Sequence, residues 1–137
     1  MSNNDVDALV MPILSDEDVV RLRQAVREQM VAIGFSLIDQ TKMITAASEL
    51  ARNTLRYGGG GETHLMKLST PRRGLHLTFI DHGPGIPDIT LALKDGYTTG
   101  GGMGLGLSGA KRLADEFDIA SAPDEGTTVK IIKWKPF

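Results

Sequence analysis

Gly104-Leu105-Gly106-Leu107-Ser108-Gly109 spells G-x-G-x-x-G, and how this stretch is read decides the fold. In a dinucleotide-binding fold the pattern directly follows a buried strand and opens a βαβ unit. Here the preceding residues, Tyr97 to Met103, are polar and glycine-rich, and only residues 110–137 follow, too few for the rest of a doubly wound sheet. A phosphate-binding G-x-x-x-x-G-K-[ST] loop is absent as well, since Ala110 stands where the second glycine would precede Lys111. The physical content survives both exclusions. Glycines at 100, 101, 102, 104 and 106 let backbone N–H groups approach an anion closely. A helix starting near Leu105 then points its unpaired N–H groups and positive dipole end at a phosphate. A surface loop with no ligand is the alternative, but so many glycines weaken any fold locally, which favours a functional reason.

Outward from that loop, the chain reads as alternating elements. Ala8 to Leu14 is an apolar run broken by Pro12, hence an edge strand. Ser15 caps a helix whose first turn is acidic at Asp16, Glu17 and Asp18; Val19, Leu22, Val26, Met30 and Ile33 recur at helical spacing up to Gly34. Ser36 caps a second helix to about Tyr57, and Gly58 to Gly61 make a turn. Glu62 to Leu68 is a strand, Pro71 to Gly74 a hairpin turn, and the alternation from Leu75 to Ile80 a strand that delivers Asp81 at its end. A short helix at Asp88 to Asp95 and a loop from Gly96 to Met103 follow. Leu107, Ala110, Ala114 and Phe117 mark a third long helix, and Asp118 to Ala122 and Thr127 to Trp134 close the chain as strands. The order β-α-α-β-β-α-β-β predicts a two-layer α/β sandwich, a mixed sheet covered on one face by helices.

At 137 residues the length fits a single domain, 1–137, with a core that needs no disulfide. The chain has no Cys, carries a net charge of −2 with both signs mixed, and begins with a polar, acidic stretch rather than a basic-then-apolar leader. No apolar run nears the length of a membrane span. These features predict a cytoplasmic protein with neither a nucleic-acid footprint nor a membrane anchor.

Three further features carry chemistry. Asp81-x-Gly83-x-Gly85 places a carboxylate at a strand end, able to accept a hydrogen bond from an exocyclic amine such as adenine's, with glycines that let the chain turn beneath the ring. An ordinary strand-to-loop turn would use the same residues. On the second helix Glu49 and Asn53 lie about 40° apart on the polar side, with Arg52 and Arg56. Mg²⁺ takes few protein ligands and the rest from waters and phosphates, so one Asn carbonyl is enough to fix it. Glu49, one turn earlier, is placed to polarise an attacking hydroxyl or water. The alternative is a solvated face with an i,i+3 Glu49–Arg52 pair. His64, His76 and His82 have no metal-ligand spacing, and only His82, beside Asp81, is near enough to touch a nucleotide.

The combination Glu-x-x-x-Asn, then Asp-x-Gly-x-Gly, then a glycine-rich lid into a helix, then Gly126-Thr127 before a last strand, resembles the GHKL (Bergerat-fold) ATPases. The resemblance covers Ser36 to Trp134. Without a phosphoacceptor hairpin or a transducer domain, it points to the stand-alone serine/threonine kinases that control bacterial sigma factors. Glu49-Leu50-Ala51-Arg52-Asn53, Gly96-Tyr97-Thr98-Thr99-Gly100-Gly101 and Gly109 to Phe117 are similar to the RsbT-like switch kinases of the stressosome. The resemblance implies ATP and Mg²⁺ as cofactors, Glu49 as catalytic base, Asn53 as Mg²⁺ ligand, and Asp81 as the adenine acceptor supported by Thr127. It also implies Gly83, Gly85, Gly102, Gly104 and Gly106 at the nucleotide. STAS-domain proteins are the implied substrates, and a downstream PP2C-type phosphatase or other output module the implied partner. Anti-sigma relatives carry a lid arginine; between Pro84 and Lys111 this chain has only Lys94, which favours the RsbT-like branch. An anti-sigma factor kinase, or a nucleotide-gated module that switches partners without catalysis, are the alternatives.

Overall fold

The computed structural model describes residues 8–86, 93 and 107–136. In that range five strands and three helices follow the expected order: β1 (Leu9–Ile13), α1 (Asp16–Ile33), α2 (Leu37–Arg56), β2 (Gly61–Leu68), β3 (Gly74–Asp81), α3 (Leu107–Leu113), β4 (Glu116–Ser121) and β5 (Thr127–Trp134). The expected helix at Asp88 to Asp95 and loop at Gly96 to Met103 lie outside the described residues, Leu93 excepted.

The caps fall where the sequence puts them. Ser15 Oγ accepts from Asp18 N–H at 3.3 Å, and Ser36 Oγ from Asp39 N–H at 3.2 Å. Gly34 ends α1 in the left-handed region, φ 101°, and donates back to Met30 and Val31 carbonyls. At Asp18 the Leu14 N–H, donated to its carboxylate, and the nearby Arg21 hold the acid below its ordinary range.

The strands lie in the order β1-β2-β3-β5-β4. Every described pairing is antiparallel, so the sheet is not the mixed one expected. The expectation comes from helices standing between strands, α1 and α2 between β1 and β2 and α3 between β3 and β4. β3 and β4 do run parallel to one another, but β5 lies between them and pairs antiparallel with both, so no hydrogen-bonded neighbours are parallel. The β1 strand, with Pro12, does sit at an edge.

One sheet face carries Leu65, Leu75, Leu77, Phe79, Val129 and Ile131, all buried, against Val19, Leu22, Val26, Met30 and Ile33 of α1 and Met43, Ala47, Leu50 and Ala51 of α2. Each fully buried side chain of this size contributes about 1.5–3 kcal/mol. The two-layer sandwich is therefore held by a single core between the helices and one side of the sheet. No helix among the described residues is long and apolar enough to cross a membrane.

The third helix stops earlier than expected. It ends at Leu113, and Phe117 belongs to β4, where Phe117, Ile119 and Ser121 alternate with Glu116, Asp118 and Ala120. Two signals end it: Asp115 N–H joins the sheet by donating to Ile132 O at 2.9 Å, and Lys133 Nζ takes the Leu113 carbonyl at 3.3 Å. Lys133 is buried at the far end of β5, on the core face, within 3.4 Å of Asp115 Oδ1 and 3.8 Å of Asp39 Oδ1. This buried cation therefore joins α2, α3 and the sheet through two carboxylates and a carbonyl, as a buried charge must.

On the helix-free face of β3, half-buried His76 is pushed below its ordinary value of 6.5, first by burial and then by Lys130, with Glu116 opposing. The folded protein thus resists a proton that the unfolded chain takes up near 6.5. This contribution to stability is full above pH 6.5 and is lost as pH falls through that value towards the lowered one. The urea midpoint should fall between pH 7.5 and 5.5, and the fall should shrink in His76→Gln; an equal fall in both proteins would remove His76 as the cause.

Candidate functional site

A row of residues crosses the sheet at one end. Gly61 of β2 faces Asp81 of β3, Asp81 faces Thr127 of β5, and Thr127 faces Ser121 of β4. Asp81 has the parity of Leu75, Leu77 and Phe79, so its carboxylate continues the core face to the point where the core opens. A pocket opens there, under the C-terminal half of α2. Asn53, Asp81, Gly85 and Thr127 line it, with Leu50, Phe79, Ile86, Leu107 and Val129 as apolar wall and Thr54, Tyr57 and Gly58 completing the lining. Four of the expected site residues are therefore brought together.

Asp81 is oriented by backbone. Its Oδ1 accepts from Gly83 N–H at 2.9 Å and from Thr127 N–H at 3.2 Å. These are charge-assisted bonds, stronger than neutral ones. Its Oδ2 has no hydrogen-bond partner among the described residues. The result is one carboxylate oxygen locked and the other available at a pocket with apolar walls, which suits a flat ring carrying an amino group.

Glycine is required at several points of this end. A Cβ on Gly58 would lie 2.3 Å from Asp81 Cγ, and one on Gly83 would lie 2.7 Å from Gly58 Cα. Gly85 has φ +79°, and a Cβ there would strike Ala122 O at 2.1 Å. Gly83 therefore permits close approach and Gly85 also a backbone turn, as the sequence suggested. The Pro84 carbonyl accepts from Asp124 N–H at 2.8 Å, tying this loop to the β4–β5 turn.

Glu49 stands apart from these residues. It does not line the pocket; its Oε1 accepts from Arg52 Nη1 at 3.2 Å, with both side chains about two-fifths exposed. That is the i,i+3 pair weighed above. Asn53 lies one turn on, and its backbone carbonyl receives the N–H groups of Tyr57 and Gly58 that close α2. Gly102, Gly104 and Gly106 lie outside the described residues. Among the described residues no cluster of three or more His, Asp or Glu side chains is placed to hold a metal.

Sequence reasoning missed Gly58 and Ser121. Gly58 reads only as one of four turn glycines until the fold brings the turn after α2 against Asp81. Ser121 reads as a strand end until its hydroxyl is seen bonded to Thr127 at 2.9 Å and accepting from Ile86 N–H at 2.8 Å. No local motif marks either residue, because both depend on contacts between distant segments.

Gly58→Ala should push Asp81 off its two N–H donors and cost about 1–3 kcal/mol in urea unfolding, as overpacking does. Gly59→Ala, at a position with open space around its Cβ, bears only the strain of its φ of +73°. A loss at Gly58 no larger than that at Gly59 would mean the close contact relaxes without moving Asp81.

Comparison with known proteins agrees with this geometry. Residues 38–136 match the family described as histidine kinase-, DNA gyrase B- and HSP90-like ATPase. The chain is 42% identical over 129 residues to serine/threonine-protein kinase RsbT of Bacillus subtilis, covering 93% of this chain and 97% of that protein. It is 32% identical over 104 residues to the anti-sigma F factor of Anoxybacillus flavithermus, covering 72% and 71%. The fold is shared with the RsbU and RsbW domains of a Mycobacterium tuberculosis protein, at TM-score 0.65 and 18% identity, over 93% of this chain but only 32% of that one. It is shared too with the catalytic domain of histidine kinase ThkA, at TM-score 0.54 and 15% identity, over 93% and 96%. The chain belongs to the histidine kinase-, DNA gyrase B- and HSP90-like ATPases, the GHKL superfamily, and within it is an RsbT-like serine/threonine protein kinase.

Proposed function

We propose that the chain is an Mg²⁺-ATP-dependent kinase of STAS-domain proteins in a stressosome-like complex. Phosphorylation loosens its own hold on that complex, and the freed kinase activates an output protein such as a PP2C-type phosphatase, in the cytoplasm. The observation that carries the nucleotide part is Asp81, whose Oδ1 is held by two backbone N–H groups and which lines, with Asn53, Gly85 and Thr127, a pocket with apolar walls. The partner part rests on likeness to a named serine/threonine kinase and to anti-sigma factors.

The residues fit such a ligand in chemistry. Asp81 Oδ2 receives the amino group of the base and Thr127 supports it. Gly83 and Gly85 keep the chain close beneath the ring, and Gly102, Gly104 and Gly106 let the lid backbone meet the phosphates. Asn53 offers its side-chain oxygen to Mg²⁺. When bound, Mg²⁺-ATP supplies the phosphoryl group and neutralises part of its charge. Glu49 would take the proton of the incoming serine or threonine hydroxyl, whose oxygen would receive the phosphoryl group that Mg²⁺-ATP supplies, with ADP as the leaving group. The Glu49–Arg52 pair does not forbid this role. A half-exposed ion pair is worth about 0.2–1 kcal/mol, little for a docking substrate to displace.

A second reading has its own support. Glu49 lies outside the pocket lining and is engaged by Arg52, as a nucleotide-gated binding module without transfer would allow. The likeness to anti-sigma F factors supports a variant in which the partner held is a sigma factor.

Incubation with Mg²⁺, γ-labelled ATP and a STAS-domain protein separates these readings, and no label on that protein at any ratio sinks the kinase proposal in favour of the switch. Glu49→Ala should keep ATP affinity and lose transfer by about 10²–10⁴-fold; unchanged transfer reassigns the base. Asp81→Asn should weaken ATP binding by about ten- to a hundredfold, the loss expected for a hydrogen bond to a charged acceptor. Direct capture of a sigma factor would favour the anti-sigma variant.

A further inference from the structure

Ser121 belongs to none of the motifs that mark the pocket, yet its hydroxyl is the most heavily engaged at that end of the sheet. Its Oγ lies 2.8 Å from Ile86 N, 3.0 Å from Gly126 O and 2.9 Å from Thr127 Oγ1. A serine hydroxyl has one proton and two lone pairs. The Ile86 N–H can only donate, so it occupies a lone pair. The Gly126 carbonyl can only accept, so it receives the proton. With that proton committed, the bond to Thr127 forms only if Thr127 is the donor. All three bonds coexist in a single arrangement, and in it the Thr127 proton points at Ser121.

The consequence falls on the pocket. Thr127 Oγ1 meets a ligand with lone pairs alone. Asp81 does the same, since its Oδ1 is filled by two backbone N–H groups and its Oδ2 is a carboxylate oxygen. The cross-strand pair Asp81 and Thr127 is thus an acceptor-only edge. A purine with an amino group on carbon 6 brings donors to it. A purine with a carbonyl there brings a third acceptor, and a buried acceptor facing acceptors loses its hydrogen bond.

We propose that Ser121 is a positioning residue for nucleotide choice: by holding the proton of Thr127 it keeps that hydroxyl an acceptor and so excludes 6-oxopurine nucleotides. The proposal rests on the adenine-nucleotide reading above and adds to it the residue that sets its selectivity. The Ser121 bond to Ile86 bears on how the loop is held, and so on both kinds of nucleotide alike. Only the bond to Thr127 distinguishes them.

ATP and inosine triphosphate are the suitable probes, since on the purine they differ only in the amino or carbonyl substituent of carbon 6 and the proton on the adjacent nitrogen. Each is titrated calorimetrically with Mg²⁺ into the full chain and into Ser121→Ala, Ser121→Thr, Thr127→Val and the double variant Ser121→Ala/Thr127→Val, with circular dichroism to confirm folding. The unaltered protein should prefer ATP. Ser121→Ala should narrow the preference by about three- to tenfold, the worth of one hydrogen bond, because Thr127 can then turn its proton to a carbonyl. Ser121→Thr should restore the preference. In the Thr127→Val background, Ser121→Ala should shift both affinities by one common factor. An unchanged preference in Ser121→Ala overturns the inference, and so does a narrowing that persists without the Thr127 hydroxyl. If Ser121→Ala fails to fold, Thr127→Val alone must narrow the preference, and an unaltered ratio there is equally fatal. Failure of the unaltered protein to bind ATP at all would instead overturn the adenine reading on which the proposal rests.

Discussion

Two backbone N–H groups on one carboxylate oxygen hold the pocket end of this molecule together. The Gly83 donor comes from the loop that leaves β3, and the Thr127 donor from the strand beside it. Because both converge on Asp81 Oδ1, one side chain fixes the loop's exit, the start of β5 and its own orientation. The approach of Gly58, from the turn after α2, closes the remaining side. A helix C-terminus, a strand end, a loop and a hairpin turn thus meet at a single acid, and the pocket is the space they leave.

The other end of the sheet solves a different problem in a related way. There a cation, Lys133, is buried on the core face and satisfied by Asp39, Asp115 and the Leu113 carbonyl. Leu107, the first residue of α3, lines the pocket, whereas Leu113, the last, is held by Lys133. The helix that follows the glycine-rich segment is therefore anchored to the sheet at its far end. Between the two polar ends lies the close-packed apolar core.

Much of this was legible because it is local. Ser15, Gly34 and Ser36 act as caps through bonds within four residues, and their sequence signals suffice. Asp81, Asn53 and Thr127 could be singled out because their spacing belongs to a family pattern. Their convergence on one pocket follows from an antiparallel register that no single segment encodes. Ala114 and Phe117 fit helical spacing from Leu107, while Phe117 and Ile119 also fit a strand, so spacing alone carries the third helix past its end at Leu113. Pairing with β5 decides between those periods, and it lies outside the window. The same limit hid Ser121 and Gly58, whose partners are Thr127 and Ile86 for the one and Asp81 for the other. Glu49 shows the reverse case: its neighbour Arg52 is legible from spacing, and the pair is present.

The contact between Gly58 and Gly83 has a consequence for how this chain can change over time. In most tight packings a larger residue on one side is accommodated by a smaller one opposite. Here neither position has a side chain left to give up: a Cβ on Gly83 would strike the Gly58 main chain, and one on Gly58 would strike the Asp81 carboxylate that the pocket needs. No exchange of size between the two can keep the geometry. A lineage that retains the pocket must retain both glycines independently, and a lineage that loses either must rebuild the turn after α2 along with it.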